Sequence, residues 1–138
     1  MRDLDLTTKL DLALLVGRLS FAPLFLISGY YKIMNWPAIV TTLTNQGAPV
    51  PLLGGNLAIA AEMIFPIMLI LGVQTRWACF GLIAYTVGTM FIGHRFWDFS
   101  GGAYVTQLIA FFKNLALCGG LLALAYAGPG RHALQPGR

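Results

Sequence analysis

Four apolar stretches, each long enough to cross a lipid bilayer, constrain this sequence more than any other feature. A helix that spans the hydrocarbon core needs about 20 mostly apolar residues. We predict such spans at about residues 12–33, 56–73, 77–93 and 107–127. No water in the core can satisfy an exposed backbone, so these spans must be helical. The sequence therefore predicts an all-α integral membrane four-helix bundle that forms a single domain over residues 1–138.

The composition excludes several other classes of protein. Only 10% of the residues are charged and 57% are hydrophobic, whereas a soluble domain carries about 25% charged residues. The basic residues are scattered rather than clustered, which argues against a nucleic-acid partner. The first span is too long for a signal peptide and lacks a cleavage motif, so we expect it to be retained. Cysteine and histidine show no metal-ligand spacing, so we expect no metal site, no intrinsic cofactor and two free thiols.

The basic residues predict the orientation of the chain. With four spans, both termini and the second loop lie on one side, which holds Arg2, Lys9, Arg76, Arg131 and Arg138. The other side holds only Lys32 and Arg95, both near helix ends. Because cytoplasmic loops carry the excess of Lys and Arg, both termini are predicted to be cytoplasmic.

The longest predicted outer loop, residues 34–55, contains a helix signal of its own. Trp36 and Pro37 open an apolar segment that Gly47 closes, which is typical of a short helix at the membrane surface. Pro49 and Pro51 predict an extended entry to the second span. Small residues in the fourth span, namely Gly119, Ala123 and Ala127, favour tight packing inside the bundle, with a homo-oligomer interface as the alternative.

Ionisable residues inside the spans are the main functional signal, because their burial in lipid is costly. They are Arg18, Lys32, Glu62 and Lys113. The rise of 1.5 Å per residue places Glu62 and Lys113 at one depth, Arg18 lower and Lys32 near the outer interface. We therefore predict that Glu62 is the centre of a polar cluster, with Lys113 as its first partner and Arg18 or Lys32 as a second.

Two interpretations of this cluster remain open. It is either an ion pair that only fixes helix register, or a binding site whose excess of cations calls for an acceptor such as a phosphate, an anionic substrate or a quinone carbonyl. Polar and aromatic residues predicted at the same outer end would complete an outer-leaflet pocket for an amphipathic headgroup, and they are Asn114, Gln107, Tyr30, Tyr31, His94 and Trp97. An imidazole in such a pocket could transfer protons.

Several segments together resemble the DoxX family of small bacterial four-helix membrane proteins. They are RLSFAPLFLISGYYK, QGAPVP, AAEMIFPIMLILGVQTR, the histidine at position 94 and FFKNLALCGGLLALAYAGPGR. The matching positions are Arg18, Gly29, Lys32, Glu62, Arg76, His94, Lys113, Asn114, Gly119, Gly120, Gly128, Pro129 and Gly130. The family often has an acidic residue after the final glycine, and this chain does not, so a role for that carboxylate does not carry over.

The resemblance implies a bacterial inner-membrane protein, and some members of the family are subunits of quinone-linked sulfur oxidoreductases or belong to thiol and oxidative-stress systems. The first hypothesis is an accessory subunit that binds quinone or quinol, is not an enzyme by itself and needs a redox protein partner. The second is a non-enzymatic scaffold or assembly factor of a membrane complex. The third is a small lipid-binding or transport protein, although paired broken-helix signals are not evident.

Overall fold

The computed structural model describes residues 2–135, with side chains described from residue 6 onward. Five α-helices follow one another: α1 Arg2–Met34, α2 Trp36–Asn45, α3 Pro51–Leu71, α4 Thr75–Gly93 and α5 Gly101–Ala127, with a 3-10 turn at Phe96–Asp98 before α5. Four segments are long and apolar enough to cross a membrane: Leu6–Met34, Pro51–Leu71, Thr75–Asp98 and Gly101–Ala127. The prediction of an all-α bundle with four membrane spans is therefore confirmed.

The extended entry predicted for the second span was wrong, and one helix begins earlier than the span predicted within it. Pro51 begins α3 instead of leading to it in an extended conformation. Proline suits the first turn of a helix because its fixed φ is helical and its missing N–H would lack a partner there. At the other boundary, α5 begins at Gly101, about two turns before the predicted residue 107. Hydropathy locates the part of a helix that lies in lipid, and these helices extend beyond that part.

The bundle is built from two helix pairs. α1 packs mainly against α3, α4 packs mainly against α5, and α3 and α4 join the two pairs. The core between them contains Phe25, Leu69, Leu82 and Leu121. Large apolar side chains cover the outside, among them Leu24, Ile27, Ile64, Phe112 and Leu115, as expected for a protein whose solvent is lipid.

Small residues allow close helix contacts, although not all of the predicted ones do so. A Cβ at Gly120 would lie 2.9 Å from the Phe21 ring, so this position permits α5 to approach α1. The stripe of Gly119, Ala123 and Ala127 is exposed instead. The prediction that this stripe packs inside the bundle was wrong, because it lies on the outer face of α5.

The two ends of the bundle differ. At one end, called the terminal end below, Arg131 contacts Asp11 at 3.3 Å, so the segment after α5 lies beside the first part of α1. The other, distal end carries α2 and the 3-10 turn. The predicted short helix is confirmed as α2, which contacts α3 and α1. Trp36 packs so closely on Gly55 that a Cβ there would lie 2.8 Å from its ring.

Candidate functional site

A hydrogen-bonded network around Glu62 lies in the distal half of the bundle. Glu62 is 3% exposed. Its Oε1 accepts hydrogen bonds from Ser28 Oγ at 2.8 Å, Lys32 Nζ at 2.9 Å and Tyr85 Oη at 2.6 Å. Its Oε2 accepts a bond from Lys32 Nζ at 2.8 Å, and the ammonium also donates to Ser28 Oγ at 2.7 Å. Three helices therefore converge on one carboxylate.

The local sequence explains how these groups meet. Ser28 and Lys32 are one turn apart on α1 and so share a face of the helix. Between them, Gly29 packs against α3, where an added Cβ would lie 3.0 Å from both Glu62 Cβ and Met63 Sδ. The absence of a side chain at this position lets α1 and α3 approach closely. That approach brings the Lys32 ammonium within ion-pair distance of the carboxylate.

The predicted pairing of Glu62 with Lys113 was wrong. Lys113 is exposed on α5, and its neighbour Asn114 is the residue that faces the interior. Consecutive residues on an α-helix are rotated by about 100°, so only one of the two can face the carboxylate. A similar depth of two residues in the membrane does not determine which faces of their helices they occupy.

Arg18 is also not a partner of Glu62. It is fully buried at the terminal end and donates to the carbonyl oxygens of Leu69 at 3.0 Å and Ile70 at 3.4 Å. Its other terminal nitrogen donates to the carbonyl of His132. The guanidinium therefore donates to carbonyls of the last turn of α3, where intrahelical hydrogen bonds end, and connects the C-terminal segment to them.

A cavity of about 890 Å³ adjoins the Glu62 network. All five α-helices contribute to its walls, and α2 supplies Ile39 and Leu43 on the distal side. Most of the walls are apolar, whereas Ser28, Lys32, Glu62, Tyr85, His94 and Asn114 supply polar groups. His94 Nδ1 lies 2.9 Å from Gln107 Oε1, a hydrogen bond that fixes the ring. Of the six site residues expected from the sequence, Lys32, Glu62, His94 and Asn114 are brought together here.

Comparison with known proteins agrees with this architecture. The family model for DoxX matches residues 13–95. Inner membrane protein YphA of Escherichia coli (strain K12) is 35% identical over 135 residues, which covers 98% of this chain and 96% of the relative. The chain belongs to the DoxX family. Inner membrane protein YqjF of the same organism is 29% identical over 125 residues, with 91% of each chain covered. No solved structure matches the chain.

The aromatic residues expected around the pocket of this DoxX protein lie elsewhere. Tyr30 and Tyr31 are 61% and 60% exposed and do not line the cavity. Trp97 belongs to an aromatic cluster with Phe91, Phe96 and Phe111. The prediction that these three residues form the pocket walls was therefore wrong, because they point away from the bundle interior at the distal end.

Sequence reasoning missed several polar residues of the DoxX site, among them Ser28, Tyr85 and Thr86. The one-turn spacing of Ser28 and Lys32 could have identified the first, whereas Tyr85 and Thr86 carry no signal within an apolar span. Thr86 is 2% exposed, and its Oγ1 has no hydrogen-bond partner among the described residues. Cys79 and Cys118 are both buried and free.

Proposed function

We propose that this DoxX protein is an accessory subunit of a membrane redox system and binds a quinone or quinol headgroup in the distal cavity. The observation that carries the proposal is the Glu62–Lys32–Tyr85 network, which brings hydrogen-bond donors and an acceptor together in the wall of a mostly apolar cavity. Such a combination suits a ligand with a polar ring and an apolar tail. The unpartnered hydroxyl of Thr86 in the same wall is a further donor for that ring.

The network matches both oxidation states of the headgroup. Tyr85 and Lys32 donate to Glu62 in the structure, so a quinone carbonyl would accept a hydrogen bond from one of them by taking the place of a Glu62 oxygen. A quinol hydroxyl can donate to the Glu62 carboxylate. Reduction of a quinone to its quinol takes up two electrons and two protons. A redox protein partner supplies the electrons, and His94 in the cavity wall is suited to relay both protons, one after the other, from water at the distal surface.

Tyr85→Phe is expected to weaken binding of decylubiquinone about tenfold, because a hydrogen bond to a buried polar group contributes about 1 to 1.5 kcal/mol. Native mass spectrometry of the purified, delipidated protein measures the affinity. Tyr30→Phe is the matched control, since Tyr30 is exposed and outside the cavity. 1-Dodecanol, which has an apolar tail but no ring, should bind both variants and the wild type equally. The proposal would be contradicted if Tyr85→Phe and Tyr30→Phe lost the same affinity for decylubiquinone, or if the wild type did not bind it.

The exposed stripe of Gly119, Ala123 and Ala127 favours a second function, a scaffold that docks partner helices. A native mass spectrum of the protein extracted gently from its own membrane distinguishes the two. A bound mass the size of a quinone favours the redox subunit. A stoichiometric second polypeptide without a small molecule favours the scaffold, and a bound phospholipid in the distal cavity favours the lipid-binding alternative.

We also infer that both termini lie in the cytoplasm, which places the distal cavity in the outer leaflet. Lys9, Arg76 and Arg131 at the terminal end outnumber Lys32 and Arg95 at the distal end. Alkaline phosphatase fused after residue 138 is expected to be inactive, and green fluorescent protein fused there is expected to fluoresce. A phosphatase inserted between residues 99 and 100 should be active, and the reverse pattern would contradict the orientation.

A further inference from the structure

A second, polar cleft lies at the terminal end of the bundle, on the opposite side of the membrane span from the distal cavity. Its volume is about 440 Å³. The start of α4, the start of α1 and the segment that follows α5 enclose it, and its walls include Asp11, Thr75, Arg76, Trp77 and Tyr126. None of these residues belongs to the Glu62 network.

The start of α4 brings backbone N–H groups to this cleft. Gln135 Oε1 accepts the N–H of Gln74 at 3.0 Å, just before the helix begins. The side chain of Gln74 does not cap the N–H groups of α4 itself, and the first N–H groups of a helix have no carbonyl partner within it. The N-terminal end of a helix also carries a partial positive charge. A 19-residue helix such as α4 therefore offers an anion both a favourable field and free N–H groups.

A buried hydroxyl gives independent evidence for a ligand. Thr75 lines the cleft and is 3% exposed, yet its Oγ1 has no hydrogen-bond partner among the described residues. A buried polar atom without a partner costs about 1 to 3 kcal/mol. A ligand oxygen in the cleft would remove that cost by accepting the hydroxyl hydrogen.

The charges favour an anion. Arg76 is exposed, and its Nε donates to the carbonyl of Ala125 at 3.2 Å, which holds the guanidinium beside the cleft. The two terminal nitrogens point to no described partner. The one acidic residue that the structure places in the walls, Asp11, is neutralised by Arg131, whose Nε lies 3.3 Å from Asp11 Oδ2. Asp11 and Arg76 are the charged residues of the described walls, and together with Arg131 beside them they carry a net charge of +1, located on Arg76.

The surroundings place the cleft at the level of lipid headgroups. Trp77 and Tyr126 are 68% and 75% exposed at the terminal ends of α4 and α5. Exposed tryptophan and tyrosine at span ends are typical of the membrane interface. A phosphate that enters the cleft from the bilayer would thus meet Arg76, the Thr75 hydroxyl and the start of α4 together.

We propose that this cleft is a phosphate-binding site that holds the headgroup of an anionic phospholipid, with Thr75, Arg76 and the first N–H groups of α4 as its donors. Arg76 supplies two charge-assisted hydrogen bonds to the phosphate oxygens. The site is independent of the distal cavity, so failure of one proposal leaves the other unaffected.

The test measures binding to the delipidated full-length protein in detergent by native mass spectrometry. The probes are dioleoylphosphatidylglycerol, dioleoylphosphatidylcholine and inorganic phosphate. Phosphatidylglycerol is expected to bind at least about tenfold more tightly than phosphatidylcholine. Arg76→Gln should weaken that binding roughly tenfold and Thr75→Val roughly fivefold. Arg76→Lys keeps the charge and should lose less than Arg76→Gln.

Arg95→Gln is the matched control, because it removes the same charge at the distal end, outside the cleft. If inorganic phosphate binds with the same dependence on Arg76 and Thr75 while the two lipids do not differ, the phosphate site stands and its ligand is free phosphate. If neither binds, or if Arg95→Gln weakens binding as much as Arg76→Gln, the proposal is overturned. If Arg76→Gln does not fold, Thr75→Val and Thr75→Ser provide the test. Weaker binding of phosphatidylglycerol by Thr75→Val than by Thr75→Ser supports the proposal, and equal binding overturns it.

Discussion

Lys32→Met is expected to lower the free energy of unfolding by about 3 to 5 kcal/mol, because it leaves the Glu62 carboxylate buried without a counter-charge. The ammonium makes two hydrogen bonds to the carboxylate, at 2.9 and 2.8 Å, and Glu62 is 3% exposed. Ser28 and Tyr85 would still donate to the carboxylate, but neither carries a charge. Titration of the purified protein from mild detergent into sodium dodecyl sulfate measures the change.

Two further variants show whether the loss comes from the ion pair. Lys32→Met combined with Glu62→Gln removes both charges and should recover most of the lost stability, since replacing a whole buried pair is often close to neutral. Lys113→Met removes the same type of side chain from an exposed position and should change stability by less than about 1 kcal/mol. A Lys32→Met protein as stable as the wild type, or a Lys113→Met protein equally destabilised, would show that Lys32 is not the counter-charge.

Arg18→Leu is expected to release the C-terminal segment from the bundle and to lower stability by about 2 kcal/mol. The guanidinium donates to the carbonyls of Ile70 and His132, and the loss of a donor costs each of them about 1 kcal/mol. The carbonyl of Leu69 keeps the N–H of Gly72 as a donor. The backbone N–H groups of Leu134 and Gln135 donate to Leu71 and Gly72 at the same place. Their hydrogen exchange should therefore become roughly hundredfold faster.

Arg131→Gln is the control for this experiment. It removes a basic residue from the same segment, but its ion pair with Asp11 is 71% exposed on the arginine side, so the expected loss is below about 1 kcal/mol. The backbone N–H of residue 131 can still donate to Asp11 Oδ1. If exchange at Leu134 and Gln135 is unchanged in Arg18→Leu, the guanidinium does not hold the segment in place.

The sequence was sufficient to predict the four spans and the short helix α2, because apolar length and the Pro37–Gly47 boundaries have few other physical explanations. It was also sufficient to identify Glu62 as the centre of a polar cluster, since an isolated carboxylate in lipid must find partners. These features depend on composition along the chain and on the cost of burial, both of which can be evaluated without a structure.

The residues that contact Glu62 and Arg18 could not be predicted from the sequence, for two physical reasons. The spans are apolar on nearly every side, so helical periodicity does not show which face is turned inward. The prediction of Lys113, and not Lys32, as the first partner of Glu62 therefore rested on depth alone. Arg18 binds backbone carbonyls, and every residue has one, so no side-chain pattern indicates that contact. Tyr85 is one aromatic residue among several in an apolar span.

The pairing of the Glu62 carboxylate with the Lys32 ammonium affects which ligands the distal cavity can bind. The sequence predicts up to three cations around Glu62, and an anionic ligand would balance that excess of positive charge. In the structure Glu62 and Lys32 are the carboxylate and the ammonium of the cavity wall, and they already neutralise each other. An anion entering this cavity would bring an uncompensated charge into a medium of low dielectric constant, whereas a neutral ring would not. The neutral Glu62–Lys32 pair therefore disfavours the binding of charged molecules in this cavity, whatever other contacts a ligand makes.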